Sequence, residues 1–408
     1  MNKQKEKLVW PIGIVCVVVF YATCILTNLI MEERSSGSDL MIHTNNAALL
    51  EFSNPGPFFR RFTYPVYHVL CAIFNRVFHI SIYDAGVLVV TIFVMLTVIV
   101  TYLILKRFLK EDYTESTISI LTFVLTYVTA IYLPWYNKDV YRGVSSPNIW
   151  HSPTQVVVKA AALVAIFLYI KYYYDYQAII GNENKMNLFS WKKIGLFSVL
   201  LLYTVWAKPS FLQGFLPTVC IFLMIELIIS KGKIFPFCVQ SGMAFLPSCL
   251  YLLYQLLFYY SDGSEYNRGG GIVFTFFGFI GNSAPNIVIS SILLYAFPVF
   301  CILSIARKDI FADKYLWVII LFAIISFCES ACLAEGLDNS AGNFSWAKQL
   351  SVYFLWVIAI IKYFKKKSSN LDFFENKWVF KVGDLLLLAH FVSGIYYYIH
   401  LLKGPDWL

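Results

Sequence analysis

The chain has 408 residues, of which 59% belong to the apolar types AVILMFWYC and only 14% are charged, with a formal net charge of +8. Water-soluble domains are typically about 45–50% apolar and about 25% charged. This composition excludes an ordinary soluble enzyme and a disordered chain, and no basic stripe with stacking aromatics points to nucleic acid. We therefore predict one transmembrane domain over residues 1–408.

About eleven apolar runs are candidates for membrane spans, since a spanning helix needs about 20 mostly apolar residues. In chain order they are Leu8–Ile30, Ala85–Leu105, Ile118–Leu133, Val156–Tyr173, Ile194–Trp206, Phe211–Ile229, Ile234–Tyr260, Ile287–Ala306, Tyr315–Cys332, Leu350–Tyr363 and Leu385–Leu402. The first run is too long for a signal peptide and no cleavage site follows it, so we interpret it as an uncleaved helix. The predicted fold is all-α and polytopic.

Basic residues are concentrated in alternate connections between these runs. These connections are residues 3–7, 106–110, 185–193, 231–233, 307–314 and 365–367. Connections rich in lysine and arginine stay on the cytoplasmic side of a membrane. The pattern predicts a multi-pass protein of the cell membrane with a cytoplasmic N-terminus. It places the first loop, residues 32–80, and the second loop, residues 134–154, outside.

The first external loop begins with Ser38, Asp39 and His43 directly after the first span. Ser38 is suited to cap a helix that carries Asp39 in its first turn. Asp39 and His43 are four residues apart and would share one helix face. A carboxylate beside an imidazole at the membrane surface can act as a general base. The alternative is a solvated interfacial helix with a capping acid.

Farther along the first loop, Arg60, Arg61 and His68 precede the short apolar run Val69–Phe78. This run is too short and too polar to span, and an interfacial or re-entrant helix is favoured. The two arginines and His68 are candidates for binding a phosphate group. Ordinary attraction to lipid headgroups is the alternative for them.

The later external connections hold the other candidate residues. Arg142, Trp150 and His151 lie in the second loop, which is rich in aromatic residues that stack on sugar rings or form a membrane-edge belt. Lys208 lies between two apolar runs, where a charge must pair or snorkel. A final polar cluster contains Glu335, Asn343 and Trp346, which are candidates for contact with a substrate.

The pattern of a first span, an acidic loop and interfacial helices, with Asp39, His43 and Tyr64-Pro65-x-x-His68, resembles the polytopic glycosyltransferases of the GT-C fold. The resemblance covers about the first 110 residues. It implies that Asp39 is the catalytic base and that the donor is a sugar on a polyprenyl phosphate or pyrophosphate. The expected acceptor is an envelope glycan or a lipid-linked glycan at the outer face, and the expected stereochemical outcome is inversion.

This chain departs from the family pattern because Ser38, rather than a second acid, precedes Asp39. One loop acid makes a weak site for a divalent cation, so we predict no cofactor and no metal site. Membrane lipids are expected neighbours. Two other functions remain open on the sequence: an O-antigen or capsule type repeat-unit polymerase, and a transporter or flippase of lipid-linked oligosaccharides. The expected inverted repeats of a transporter are not recognisable in the sequence.

Overall fold

The computed structural model describes residues 10–32, 38–136, 146–180, 190–259, 271–278, 286–335, 342–369 and 377–403. Within these ranges the chain forms fourteen α-helices: α1 Trp10–Glu32, α2 Asp39–Ala47, α3 Gly56–Arg61, α4 Val66–Phe78, α5 Ile82–Leu109, α6 Glu115–Tyr127, α7 Pro153–Ile180, α8 Trp191–Ala207, α9 Ser210–Ile229, α10 Phe235–Tyr259, α11 Ile287–Ser304, α12 Lys314–Cys332, α13 Ser345–Ser368 and α14 Lys377–Leu402. Two short strands, β1 Ile272–Phe274 and β2 Leu333–Glu335, pair in antiparallel fashion. The prediction of an all-α chain is confirmed.

Nine of the described helices are long and apolar enough to cross a membrane, namely α1, α5, α7, α9, α10, α11, α12, α13 and α14. The chain is therefore a polytopic membrane protein. The other two predicted spans do not reach the length of a spanning helix, because Ile118–Leu133 corresponds to the 13-residue α6 and Ile194–Trp206 to the 17-residue α8. At about 1.5 Å per residue these helices are about 20 and 25 Å long. Both are shorter than a hydrocarbon core of about 30 Å.

Ion pairs join the lysine-rich connections at one end of the helix bundle. They link Lys106 to Glu115, Lys171 to Asp175, Lys314 to Glu226, Lys362 to Asp313 and Lys367 to Asp384, with N···O distances of 2.5–2.7 Å. The first loop, the two strands and the corner between α8 and α9 meet at the other end. The described parts of these connections thus lie at two separate ends, and the orientation of those ends in the membrane stays a prediction.

The first loop is packed onto the bundle through a close approach at Gly86 of α5. The hydroxyls of Thr44 in α2 and Tyr67 in α4 lie 2.7 Å apart, and both side chains are buried. A Cβ atom at Gly86 would lie only 2.8 Å from the Tyr67 hydroxyl and 3.0 Å from that of Thr44. Glycine therefore lets α2 and α4 dock directly on a long apolar helix.

Substitution of Gly86 tests this docking. Gly86→Ala should lower the free energy of unfolding by about 1–3 kcal/mol, because the added methyl group overpacks the contact with Tyr67. Gly195→Ala in α8 is the matched control, since a Cβ atom at Gly195 meets no atom within 4 Å. That variant should be unchanged or more stable by up to about 1 kcal/mol. Equal thermal unfolding of the two variants in detergent would contradict the packing described here.

Candidate functional site

Asp39 lies in the first turn of α2, as the sequence predicts. The Ser38 hydroxyl accepts a hydrogen bond from the Met41 amide at 3.2 Å, which caps the helix N-terminus. Leu40 and Thr44 bury the opposite face of this helix, while Asp39 remains partly exposed. The capped and packed helix therefore fixes the backbone of Asp39 and leaves its carboxylate accessible.

Lys208 lies at the corner between α8 and α9 and is 7% exposed. Its Nζ donates to the hydroxyls of Thr154 at 3.1 Å and Ser152 at 3.3 Å, and it lies 3.7 Å from the centre of the Trp346 ring. In the part of the chain that the structure describes, no carboxylate is within ion-pair distance of this ammonium group. Two hydroxyls and an aromatic face therefore hold a nearly dehydrated cation.

Asp39, His151 and Lys208 are within electrostatic reach of one another. Burial lowers the pKa of Lys208 to about 7, and the nearby Asp39 carboxylate opposes this by raising it. Burial also lowers the pKa of His151 to about 4, with Asp39 raising that pKa and Lys208 lowering it further. The acid of the first loop thus faces a buried amine and a neutral imidazole that come from distant parts of the chain.

His43 and His68 form a hydrogen-bonded pair, with 3.0 Å between His43 Nδ1 and His68 Nε2. Burial, together with the charge of Lys208, lowers the pKa of His43 to about 3. Burial also holds the pKa of His68 well below its usual value, and His43 adds to that effect. Both rings are therefore neutral near pH 7, so one nitrogen of the pair donates and the other accepts.

The role predicted for His68 as a phosphate-binding cation does not fit this geometry. His68 is fully buried, stacks on Phe62 with ring centres 5.1 Å apart, and contacts Tyr67. A cationic imidazole in these surroundings would be dehydrated and next to a second histidine. In the structure, the polar contact of His68 is its hydrogen bond with His43.

The second loop reaches the site through a buried segment, residues 146–152. Lys159 Nζ donates to the Pro147 carbonyl at 2.9 Å and to Asn148 Oδ1 at 2.8 Å. Asn148 Nδ2 in turn donates to the carbonyls of Leu125 and Val128 at the end of α6. Because these polar groups bond inward, the segment holds its last residues, including His151, in fixed positions beside Lys208.

Trp150 lies within this segment but is 4% exposed and packs between the rings of Tyr127 and Tyr398, at 5.8 and 5.9 Å. It lies in an aromatic core, so the predicted stacking of Trp150 on a sugar ring does not fit its position. Trp135 is 82% exposed. Trp346 is the tryptophan that contacts Lys208, and its ring centre lies 6.4 Å from that of His151.

A cavity adjoins Lys208. Its polar lining residues are Lys208, Ser210, Gln213, Gln255, Glu335 and Asn343. Its aromatic and apolar lining residues are Tyr64, Leu252, Leu256, Ile272, Phe344 and Trp346, with Pro209 at the helix corner. Polar and apolar groups therefore share one cavity, which suits a ligand that has both a charged and an apolar part.

Glu335 and Asn343 enter this cavity through the strand pair. Ile272 of β1 pairs with Glu335 of β2, and Asn343 Nδ2 donates to Glu335 Oε2. The sequence analysis gives Lys208, Glu335 and Asn343 as separate candidates, and in the structure all three line the same cavity. Gln255 and Gln213 were missed, although a glutamine within an apolar run such as Ile234–Tyr260 is itself a signal of a polar role.

The arginines predicted to bind phosphate do not line this cavity. Arg60 and Arg61 are exposed on α3, and the Arg61 guanidinium lies 5.5 Å from the Phe62 ring centre. Their positions fit the alternative of contact with lipid headgroups. Arg142 lies outside the described residues. In the described ranges no group of three or more His, Cys, Asp or Glu side chains is arranged to hold a metal ion.

No family model and no curated protein matches this sequence. A functional assignment therefore depends on the chemistry of the site: a carboxylate, a buried amine, two histidine environments and an amphiphilic cavity at one end of a membrane-spanning bundle.

The buried amine predicts a pH-dependent stability. The pKa of Lys208 is about 7 in the folded protein, whereas the pKa of an unfolded lysine is about 10.4. At pH values between these two, the unfolded chain binds more protons than the folded protein, so this residue makes the free energy of unfolding rise with pH. Lys208→Met removes that effect. The free energy of unfolding of the variant minus that of the original protein should be about 2–3 kcal/mol higher at pH 6 than at pH 9.

The measurement is unfolding in detergent at both pH values. Lys233→Met is the control, because Lys233 is exposed, and its difference from the original protein should be the same at pH 6 and pH 9. Stability differences for Lys208→Met that do not change with pH would contradict the burial of a titrating amine at this corner.

Proposed function

We propose that the protein is an integral-membrane glycosyltransferase that moves a sugar from a polyprenyl phosphate or pyrophosphate to an envelope glycan or lipid-linked acceptor. The observation that carries this proposal is the buried Lys208 amine, which lines an amphiphilic cavity and lies within electrostatic reach of the Asp39 carboxylate. Transfer of a sugar from a phosphate needs a base for the acceptor hydroxyl and a cation for the departing phosphate. This pair supplies both groups.

In the proposed reaction Asp39 accepts the proton of the acceptor hydroxyl. The hydroxyl oxygen forms a bond to the anomeric carbon, while the bond from that carbon to the phosphate oxygen breaks. The phosphate leaves with the bonding electron pair, and the ammonium group of Lys208 stabilises the developing charge. Attack from the face opposite the phosphate inverts the anomeric configuration. Phosphate is a good leaving group, so no separate general acid is required.

The apolar lining supports a lipid-linked donor. Leu252 and Leu256 belong to α10, an apolar helix long enough to span a membrane, whose side chains are mostly not covered by the rest of the described protein, so we expect much of its surface to face lipid. A polyprenyl chain can lie along these leucines while its phosphate reaches Lys208. Glu335 and Asn343 are positioned to bind sugar hydroxyls on the polar side of the same cavity.

The proposed location is the cell membrane, with the N-terminus in the cytoplasm and the site at the outer face. The basic connections at one end of the bundle support this orientation. A small epitope inserted in the turn 230–234 should be accessible only from the cytoplasm. An epitope in residues 260–270 should be accessible only from outside, as measured by antibody labelling of intact and permeabilised cells. Labelling of both epitopes from the same side would contradict the proposed topology.

Replacement of Asp39 tests the proposed base. Asp39→Asn should lower the rate of sugar transfer by about 10²–10⁴-fold, because proton removal from the acceptor is lost. Purified protein would be assayed with radiolabelled polyprenyl-phosphate sugars and cell-envelope acceptors, in EDTA. Metal-dependent activity would contradict the prediction that no cation is used.

Asp84→Asn is the matched control. Asp84 also lies in the first turn of a helix with a serine cap, Ser81, but it is exposed at the start of α5 and, unlike Asp39, does not influence the pKa of Lys208 or His151. The Asp84→Asn substitution should leave the rate of sugar transfer nearly unchanged. Near-normal turnover by Asp39→Asn, with unchanged thermal unfolding, would remove Asp39 from the proposed role.

A further inference from the structure

Gln255 is a buried glutamine in the cavity wall that has no part in the proposed transfer reaction. Helix α8 ends just before Pro209, which has no backbone N–H, so the Val205 carbonyl lacks the usual helical donor four residues later. Gln255 Nε2 of α10 donates to this carbonyl at 3.2 Å. It also donates to the Thr63 carbonyl at 2.8 Å, which joins α10 to the first loop.

These two hydrogen bonds fix which way the amide of Gln255 points. Both partners are carbonyl oxygens, and only the NH₂ end of the amide can donate to them. The two hydrogen bonds therefore fix the orientation of the amide, and Oε1 takes part in neither of them. Gln255 is 2% exposed, and its Oε1 has no hydrogen-bond partner among the residues that the structure describes.

The hydroxyl of Thr63 is in the same situation. Thr63 is buried, and its Oγ1 also lacks a hydrogen-bond partner within the described ranges, while its carbonyl is held by both Gln255 and Tyr251. Buried polar atoms nearly always have partners, because leaving them unsatisfied costs stability. The two atoms belong to residues that are hydrogen-bonded to each other, and Gln255 shares a cavity wall with Lys208, which indicates that a ligand completes the network.

We propose that Gln255 Oε1 and Thr63 Oγ1 form a hydroxyl-binding subsite for the sugar of the donor, adjacent to the phosphate position at Lys208. This inference rests on the proposed function and adds specificity to it. Gln255 accepts a hydrogen bond from a sugar hydroxyl, and Thr63 either donates to or accepts from a second one. A site built to bind hydroxyls discriminates strongly against ligands that lack them.

The test compares the affinity of two probes for the full-length protein in detergent. One probe is undecaprenyl phosphate, and the other is a panel of undecaprenyl-phosphate hexoses. The original protein should bind at least one hexose-bearing lipid more tightly than the bare lipid. Gln255→Met should reduce that preference by about 5- to 10-fold, the size of one net hydrogen bond, with little change in binding of the bare lipid.

Gln240→Met is the matched control, because Gln240 lies on the same helix, is buried, and also has an Oε1 without a hydrogen-bond partner in the described part of the chain. It lies fifteen positions earlier, about 22 Å along α10, and does not line the cavity. The Gln240→Met variant should keep the preference of the original protein for the hexose-bearing lipid. An equal loss in Gln240→Met would mean that α10 was perturbed as a whole, and would overturn the subsite.

A second variant covers the case in which Gln255→Met does not fold. Thr63→Val keeps the side-chain shape and the backbone carbonyl but removes the hydroxyl, and it should reduce the preference several-fold. If the original protein prefers a hexose-bearing lipid and the variants keep that preference, the subsite is wrong and the proposed function stands. If the original protein shows no preference for any hexose-bearing lipid, the donor assignment fails, and the subsite fails with it.

Discussion

A charged amine at the corner between two membrane helices is the constraint on which the site depends. Lys208 is almost fully removed from water, and a cation in such a place must be compensated by neighbouring groups. The compensation comes from three separate parts of the chain: the hydroxyls of Ser152 and Thr154, the ring of Trp346 and the carboxylate of Asp39. Loops far apart in sequence are thereby brought to one end of the bundle.

The sequence was sufficient for features that depend on composition and short spacing. Apolar runs located the long helices, and Ser38 followed by Asp39 located a capped helix start that the structure confirms. The length of a membrane span was overestimated where an apolar run continued beyond the end of its helix. The run from Ile118 ends as a helix at Tyr127, because the following residues are extended and Asn148 binds the last carbonyls of α6.

Residue roles were harder to predict where burial decides them. Arg60 and Arg61 have the right chemistry for phosphate but lie on an exposed helix, and Trp150 has a stacking surface that is already covered by Tyr127 and Tyr398. Burial also keeps His68 neutral. A glutamine within an apolar run signals a polar role, but the partner of Gln255 could not be recognised from the sequence, because it is a carbonyl on another helix that Pro209 leaves without a donor.

The most direct test of the account is an electron cryomicroscopy structure of the protein bound to an undecaprenyl-phosphate hexose. The account predicts a phosphate oxygen about 2.8 Å from Lys208 Nζ, the sugar within the cavity next to Asp39, and the lipid chain along α10. A phosphate bound at Arg60 and Arg61 instead, with the sugar away from Asp39 and the cavity beside Lys208 empty of ligand, would contradict it.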